Sequence, residues 1–524
     1  MRPGSVLVLV SGCVTLVTLE ACICTGAEAY VALMAGQRAK ALGGTFNDIP
    51  VLHSNQPEIV TGPGILVDTS PGSAIAAETN RPVRNAAFNF DGKFGVHMHH
   101  KYYPSDSVKL GGRRKRGLLT LGLIAINPGQ QPVTLKFDQG SLKNSFEAPY
   151  LPDKLMGVKP LGKRPWNTGP GDATAVQILR KERDRNIPTS IVIPPHSKKV
   201  VIKTVLPARG IANGLLKGSS NGPFRMAVVA VDDSKNDQSL IAALNRGRLA
   251  PGRIYLNRVP EIRRGTVFSR VAGVAVGDRY QANLQHDLQA GPLHVPLTST
   301  RRHHFGTREI QVNRLASRMI DSALNNIGTY GVRFDISLDL KGQGPHQLVL
   351  SHPVVSGKKP FTAFRGSIRI EQQGAFEEIH VGLRSGESLA LTNLNLRGDQ
   401  YQPVKVSLVY PADATPGHLL SVVPTTQLAQ LHRRQQHQQS VQNSIAKDSN
   451  RTIQLPVVPP AANAVQATPA NAITAAPTSP KRPVPPPTVV ACPDPPEDST
   501  ILMRSDPMAQ VRNRYGSIIF RKHA

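Results

Sequence analysis

The sequence predicts a mainly β protein: one or two antiparallel β-sandwich domains of immunoglobulin-like type, few short helices and a disordered C-terminal tail. Three observations lead there. First, Val332, Phe334, Ile336, Leu338 and Leu340 alternate with Arg333, Asp335, Ser337 and Asp339. A period of two sends the apolar side chains to one sheet face and the polar ones to the other. One strand cannot bury such a face alone, so a second sheet must cover it. Second, 44 glycines and 44 prolines punctuate short apolar runs along the chain, the spacing of strands and turns. Third, the composition changes near Pro424, where Gln-rich and then Pro/Ala-rich sequence takes over.

The chain opens with an export signal over 1–29. Arg2 gives a basic start, Val6 to Leu19 is mostly apolar, and Ala27-Glu28-Ala29 fits a small-x-small cleavage site. Two rivals stay open: lipidation at Cys13 or Cys22, since Val10-Ser-Gly-Cys13 fits a lipobox, and a retained anchor. Cys13, Cys22, Cys24 and Cys492 all lie outside the body, so no disulfide framework staples it. No later segment holds the roughly 18 apolar residues that span a bilayer.

The body divides into an N-terminal β-rich domain, 30–265, and a C-terminal β-sandwich domain, 266–424. In the first, Asp48–Leu52, Ser54–Val60 and Ile65–Val67 read as extended segments around a Gly-Pro-Gly turn. Ala86 to Tyr102 reads as two short strands about the Asp91-Gly92 turn. Leu118–Ile126 is apolar throughout, a strand buried on both faces, and Val133–Phe137 returns after Asn127-Pro-Gly129. Asp172–Asp184 reads as a helix with Asp172 as N-cap. Ile191–Ile193 and Val200–Ile202 flank Pro194-Pro195 as a hairpin. Phe224–Val231 is a strand and Asp237–Asn245 a short helix. The second domain holds strands at Val267–Val276, Val332–Leu340, Gln347–Leu350, Phe364–Ile370, Ile379–Leu383, Ser388–Leu391 and Val404–Tyr410. Arg308–Asn325 fits either a helix or a strand with a loop.

The stretch 425–500 reads as a disordered linker, first Gln-rich and then Pro/Ala-rich. Residues 455–498 hold 13 of the 44 prolines, a mixture that cannot bury enough apolar surface to offset its ordering entropy. A short basic tail, 501–524, closes the chain.

Several of these segments, in order, resemble DUF3370, a family of secreted cyanobacterial proteins of unknown function. They are Ile49–Val60 with Gly64-Ile-Leu66, Asn89–Phe94 with His99-His100, Leu121–Leu135, Gly169–Gly171 and Ile193–Pro195. Further on come Val276–Arg279, Tyr330–Phe334, Phe364–Arg369 and Tyr410–Pro416. The resemblance covers about 48 to 424. It implies export to a cyanobacterial periplasm or outer envelope, and it implies no catalytic residues.

The candidate sites are few. His97 and His99 stand at i and i+2 on a predicted strand and share a face, the spacing of two metal ligands; a site needs at least a third. Their plainer reading is a pair of hydrogen-bonded strand histidines. Arg113, Arg114, Lys115 and Arg116 form the one tight basic run, a polyanion contact or a solvated hairpin loop. Trp166 is either a sugar-stacking platform or a packing plug. His303-His304 beside Arg301-Arg302 reads as a basic surface loop. The Asp232–Asp237 run lacks the glycine and distal glutamate of a calcium loop and reads as a helix cap. No phosphate cradle or nucleophile elbow is present, so no catalytic residue and no cofactor is assigned.

Formal net charge is +27, most of it between residues 30 and 424. Charge of that size speaks to partners, not to fold. The expectation is an exported, non-enzymatic envelope protein that associates with anionic polysaccharide or peptidoglycan through diffuse charge. The alternative is a metal-binding protein or metal-dependent enzyme using His97 and His99. Nucleic acid is not an expected partner, since no aromatic residues interleave with the basic run.

Overall fold

The computed structural model describes residues 38–430, except 113–115, 152–154, 165–166, 233–235, 266–268, 354–359 and 413, with five more residues between 433 and 441. The leader, the four cysteines and the tail lie outside the described residues. The chain divides into two units, Met1–Leu428 and Ala429–Ala524, and every strand below belongs to the first.

The fold is mainly β, and two hydrophobic cores organise it. The strand Arg333–Lys341 shows why. Its odd-numbered residues are half-buried, while Phe334, Ile336, Leu338 and Leu340 are no more than 1% exposed. Its alternation is met by sheets on both sides of a common core, as the sequence predicts.

The first core lies between a nine-stranded and a four-stranded sheet. The backbone order of the larger runs Ser190–Ile193, Val133–Asn144, Ile211–Ser220, Lys93–Tyr102, Pro50–Ser54, Ala272–Val276, Asn313–Arg318 and Asn325–Asn326, with Ile59–Val60 added beside Lys93–Tyr102. The smaller runs Ser197–Pro207, Leu118–Asn127, Arg225–Asp232 and Gly64–Asp68. Phe94, Val96 and Met98 of one sheet and Leu121, Leu123 and Val229 of the other belong to one buried cluster. Leu118–Asn127 is buried on both faces, as its composition predicts, because helix α1 (Asp237–Asn245) covers the outer face. Gly122 permits that approach: a Cβ there would meet Leu240 at 2.7 Å.

The second core lies between a seven-stranded and a four-stranded sheet. The larger runs Thr45–Phe46, Arg279–Asp287, Arg333–Lys341, Gln402–Val409, Thr362–Gln372, Ala375–Arg384 and Gly157–Pro160. The smaller runs Leu293–Leu297, His418–Pro424, Gly344–Ser351 and Ser388–Leu396. Most neighbours are antiparallel; Arg279–Asp287 runs parallel to Arg333–Lys341, and Pro50–Ser54 and Ile59–Val60 run parallel to Lys93–Tyr102. Segments cross between the two sandwiches. Thr45–Phe46 and Gly157–Pro160 form the edges of the second, while Ala272–Val276 and Asn313–Arg318 extend the first.

Helix α2 (Pro170–Leu179) lies between them. All ten of its residues are buried, and it packs on strands of both large sheets. Its polar side chains Asp172, Thr174 and Gln177 are buried too, and each meets a hydrogen-bond partner in the surrounding strands. Its start departs from the sequence reading. Gly169 is the N-cap, at φ 91°, and Tyr150 fills the space where a Cβ would sit. Pro170 then opens the helix, since its fixed φ suits the first turn and it lacks the N–H that would go unpaired there. Asp172 therefore sits inside the first turn, and the helix ends at Leu179, not Asp184.

Two further expectations are corrected. Ile191–Ile193 and Val200–Ile202 do not form a hairpin: Ser190–Ile193 pairs with Val133–Lys136, and Ser197–Pro207 pairs with Leu118–Asn127. Two consecutive prolines supply no ladder donors, so the chain turns a sandwich corner instead. Between Ala86 and Tyr102 there is one strand, Lys93–Tyr102, preceded by an isolated bridge at Phe90. The ambiguous stretch near 313 is a strand.

Removing a core ring should cost far more than removing a solvent-facing carboxylate on the same strand. Phe334→Ala is expected to lower stability by about 3–5 kcal/mol, and Asp339→Ala by no more than about 0.5 kcal/mol. The urea midpoint at constant m reads both.

Candidate functional site

Strand alternation divides Lys93–Tyr102 into two chemistries. Phe94, Val96 and Met98 enter the first core. His97, His99 and Lys101 face the other way, toward the layer that holds helix α2. His97 and His99 do share a face, and both are buried. Each, however, is engaged by a different neighbour.

His97 stands opposite His53 in the parallel register, with Nδ1 to Nδ1 at 3.2 Å and the rings edge to face at 5.1 Å. One nitrogen donates the proton and the other accepts it. Tyr330 stacks over His97 at 6.4 Å. Gly331 packs closely on the same ring. His99 stands opposite Asn213, its Nδ1 2.9 Å from Oδ1. The Asn213 amide donates to Thr174 Oγ1 of helix α2, whose hydroxyl in turn donates to Pro170 O at 3.0 Å. His100, on the core side, bridges Ser54 Oγ and Pro57 O, both at 2.8 Å.

Charged pairs close this layer. Glu58 binds Lys101 at 2.6 Å and also Arg270, which donates to Tyr255 OH at 2.9 Å. Burial alone would raise the Glu58 pKa, but the two cations hold it far below the usual carboxylate range. Lys143 binds Asp184 at 2.8 Å, and Lys217 binds Asp278 at 2.6 Å. Asp172 of helix α2 accepts from Ser367 Oγ at 3.0 Å and meets His380 Nδ1 at 3.0 Å, reaching the seven-stranded sheet.

The electrostatics of the histidines follow from burial. It pushes His53 and His100 down to about 3, and His97 well below its ordinary value, with the neighbouring imidazoles adding to the effect. At neutral pH these three rings are uncharged, which lets them lie buried beside one another without charged partners. Among the described residues, no group of three or more His, Cys, Asp or Glu is placed to hold a metal ion. The arrangement can pass hydrogen bonds between strands, and it resists protonation.

Other sequence candidates are placed as follows. Arg113, Arg114, Lys115 and Trp166 lie outside the described residues. Arg116 is exposed, its guanidinium 5.8 Å from the Phe146 ring centroid. Asn236 caps helix α1 through its side chain, which matches the capping role read for that loop. His303, expected in a surface loop, is half-buried against Gly417, and burial lowers its pKa. His53, Asn213, Thr174 and Tyr330 were not singled out in the sequence. Each is ordinary in its own segment and gains meaning only by register across strands.

The fold and this layer define a two-sandwich, mainly β protein whose sheets are joined by a polar seam and a buried helix. Its sequence belongs to the family described as protein of unknown function (DUF3370), matched over residues 37–424. That span takes in every strand described above and agrees with the resemblance carried by the ordered segments. No curated protein matches the chain.

The buried histidines predict an acid-sensitive fold. Their folded pKa values lie below the ordinary 6.5, so the unfolded chain takes up protons first as pH falls. Their contribution is whole above about pH 6.5 and is lost as pH drops toward the folded values. Urea midpoints should fall between pH 7 and pH 4.5. Substituting His53→Gln with His97→Gln should flatten that slope, even if the double variant starts less stable.

Proposed function

We propose that this chain is an exported, non-enzymatic envelope protein that associates with anionic polysaccharide or peptidoglycan through diffuse positive charge. One observation carries the reading: cations outnumber carboxylates 62 to 35, several carboxylates are already neutralised in internal ion pairs, and cations with no ion-pair partner among the described residues stand exposed on the surface. Glu58, Asp184, Asp278, Asp321, Asp335 and Glu378 each bind at least one Lys or Arg. Lys199, Arg209, Arg246, Arg263, Arg264 and Arg314 are exposed. A carboxylate locked in an ion pair cancels one cation nearby and leaves the rest of the positive field intact.

Export is supported by the Arg2, Val6–Leu19 and Ala27-Glu28-Ala29 pattern, and by the family resemblance. Among the described residues no helix is long and apolar enough to cross a membrane. Lack of a phosphate cradle or nucleophile elbow in the sequence supports a binding role.

Co-sedimentation with alginate gel and with isolated peptidoglycan, across a salt series, tests the proposal. Retention is expected at about 50 mM salt and should be largely lost by about 500 mM, where screening shortens to a few ångströms. Absence of retention at low salt would sink the idea. Mass spectrometry of the protein from its native host should find a mature N-terminus at Tyr30.

A further inference from the structure

The outer face of the seven-stranded sheet carries two neighbouring rows of side chains, and they behave differently. In an antiparallel or parallel ladder, residues in register point to the same side. One row runs Glu378, Arg369, Ser407, Asp335 and Gln281 across five strands. It is internally engaged. Glu378 binds Arg369 at 2.6 Å and Arg180 at 2.6 Å, Ser407 Oγ donates to Asp335 at 2.6 Å, and Arg279 and Arg333 also bind Asp335.

The adjacent row runs Phe376, Glu371, Lys405, Ser337 and Asn283 across the same five strands. Its polar members make no side-chain hydrogen bond or ion pair among the described residues, although Glu371 and Lys405 are register neighbours. At one end Phe376 is 63% exposed. Arg369 fixes that ring, its guanidinium 4.7 Å from the centroid, while Glu378 holds the same guanidinium. A cation over one face pins the ring without covering it. Glu371, Gln373, Gly374, Phe376, Pro403 and Lys405 line a hollow of about 290 Å³ at this end.

We infer that this row is a glycan-binding track, with Phe376 and the hollow beside it as the anchoring subsite. The chemistry selects the ligand. A fixed, exposed ring stacks on the apolar C–H face of a pyranose. The Glu371 carboxylate accepts from sugar hydroxyls, Lys405 donates to them, and Ser337 and Asn283 do both. Four strand steps of about 4.8 Å make the row roughly 19 Å long, enough for several sugars. One acid and one base leave it without net charge, which disfavours a densely anionic polymer on this face. The track is therefore independent of the diffuse-charge reading and is told apart from it by salt.

The test is co-sedimentation of the full chain with microcrystalline cellulose, chitin and peptidoglycan at about 0.5 M NaCl, where diffuse attraction is screened. The wild type is expected to bind at least one of them. Phe376→Ala should weaken that binding at least about tenfold, and Ser337→Ala with Asn283→Ala by a smaller factor. Lys93→Ala, on the other sandwich, should bind as wild type does, and unchanged thermal unfolding of each variant confirms the fold. Failure of the wild type to bind any of the three at high salt overturns the inference. So does equal binding by wild type and Phe376→Ala.

Discussion

A helix with no face toward water sets the arrangement of this protein. Pro170–Leu179 is enclosed by strands of both large sheets, so its polar ends must be satisfied by side chains and neighbouring backbone. Arg333 donates to Leu179 O at 3.0 Å and closes the C-terminal end. At the other end Asp172 sits in the first turn, where the helix dipole favours a carboxylate. Ser367 and His380, from two adjacent strands, meet it there. A buried carboxylate without such partners would cost several kcal/mol. The partners fix how deep the helix lies, and Ala175, Ile178, Leu179, Leu215 and Val409 pack at that depth. Each sandwich thereby supplies part of the other's boundary.

The histidine layer belongs to the same problem. A sheet that faces a buried helix cannot show charges without partners, yet its backbone demands polar continuity across strands. Neutral imidazoles answer both needs, since each ring offers one donor and one acceptor. Where charge does enter, as at Glu58 or Asp184, cations accompany it. The consequence is that each buried carboxylate is neutralised locally, and the protein's excess of cations is left to its surface.

Much of the fold was legible because its signal is local. The alternation of Val332–Leu340, the apolar run of Leu118–Ile126 and the Asp237–Asn245 helix each state their own surroundings within about ten residues. Failures came where a distant partner decided the outcome. Nothing between Ile191 and Ile202 says that its two arms join different sheets. Asp172 looks like a cap until Tyr150 is seen to exclude any side chain at position 169, leaving that position to glycine. The candidate site was half visible: alternation placed His97 and His99 on one face, but His53 and Asn213 are found only by register. The row ending at Phe376 was invisible for the same reason, since its five residues come from five separate strands.

The exchange of strands between the sandwiches governs the order in which the chain can fold. The first large sheet lacks Ala272–Val276 and Asn313–Arg318 until residues beyond 318 have emerged from the ribosome. Thr45–Phe46, made early, must wait for Arg279–Asp287 before it has a partner. Such pairings join residues more than two hundred positions apart, and loop closure over that distance comes before any reward in contacts. The N-terminal half is thus held incomplete through most of synthesis, and the two sandwiches must close together, not one after the other.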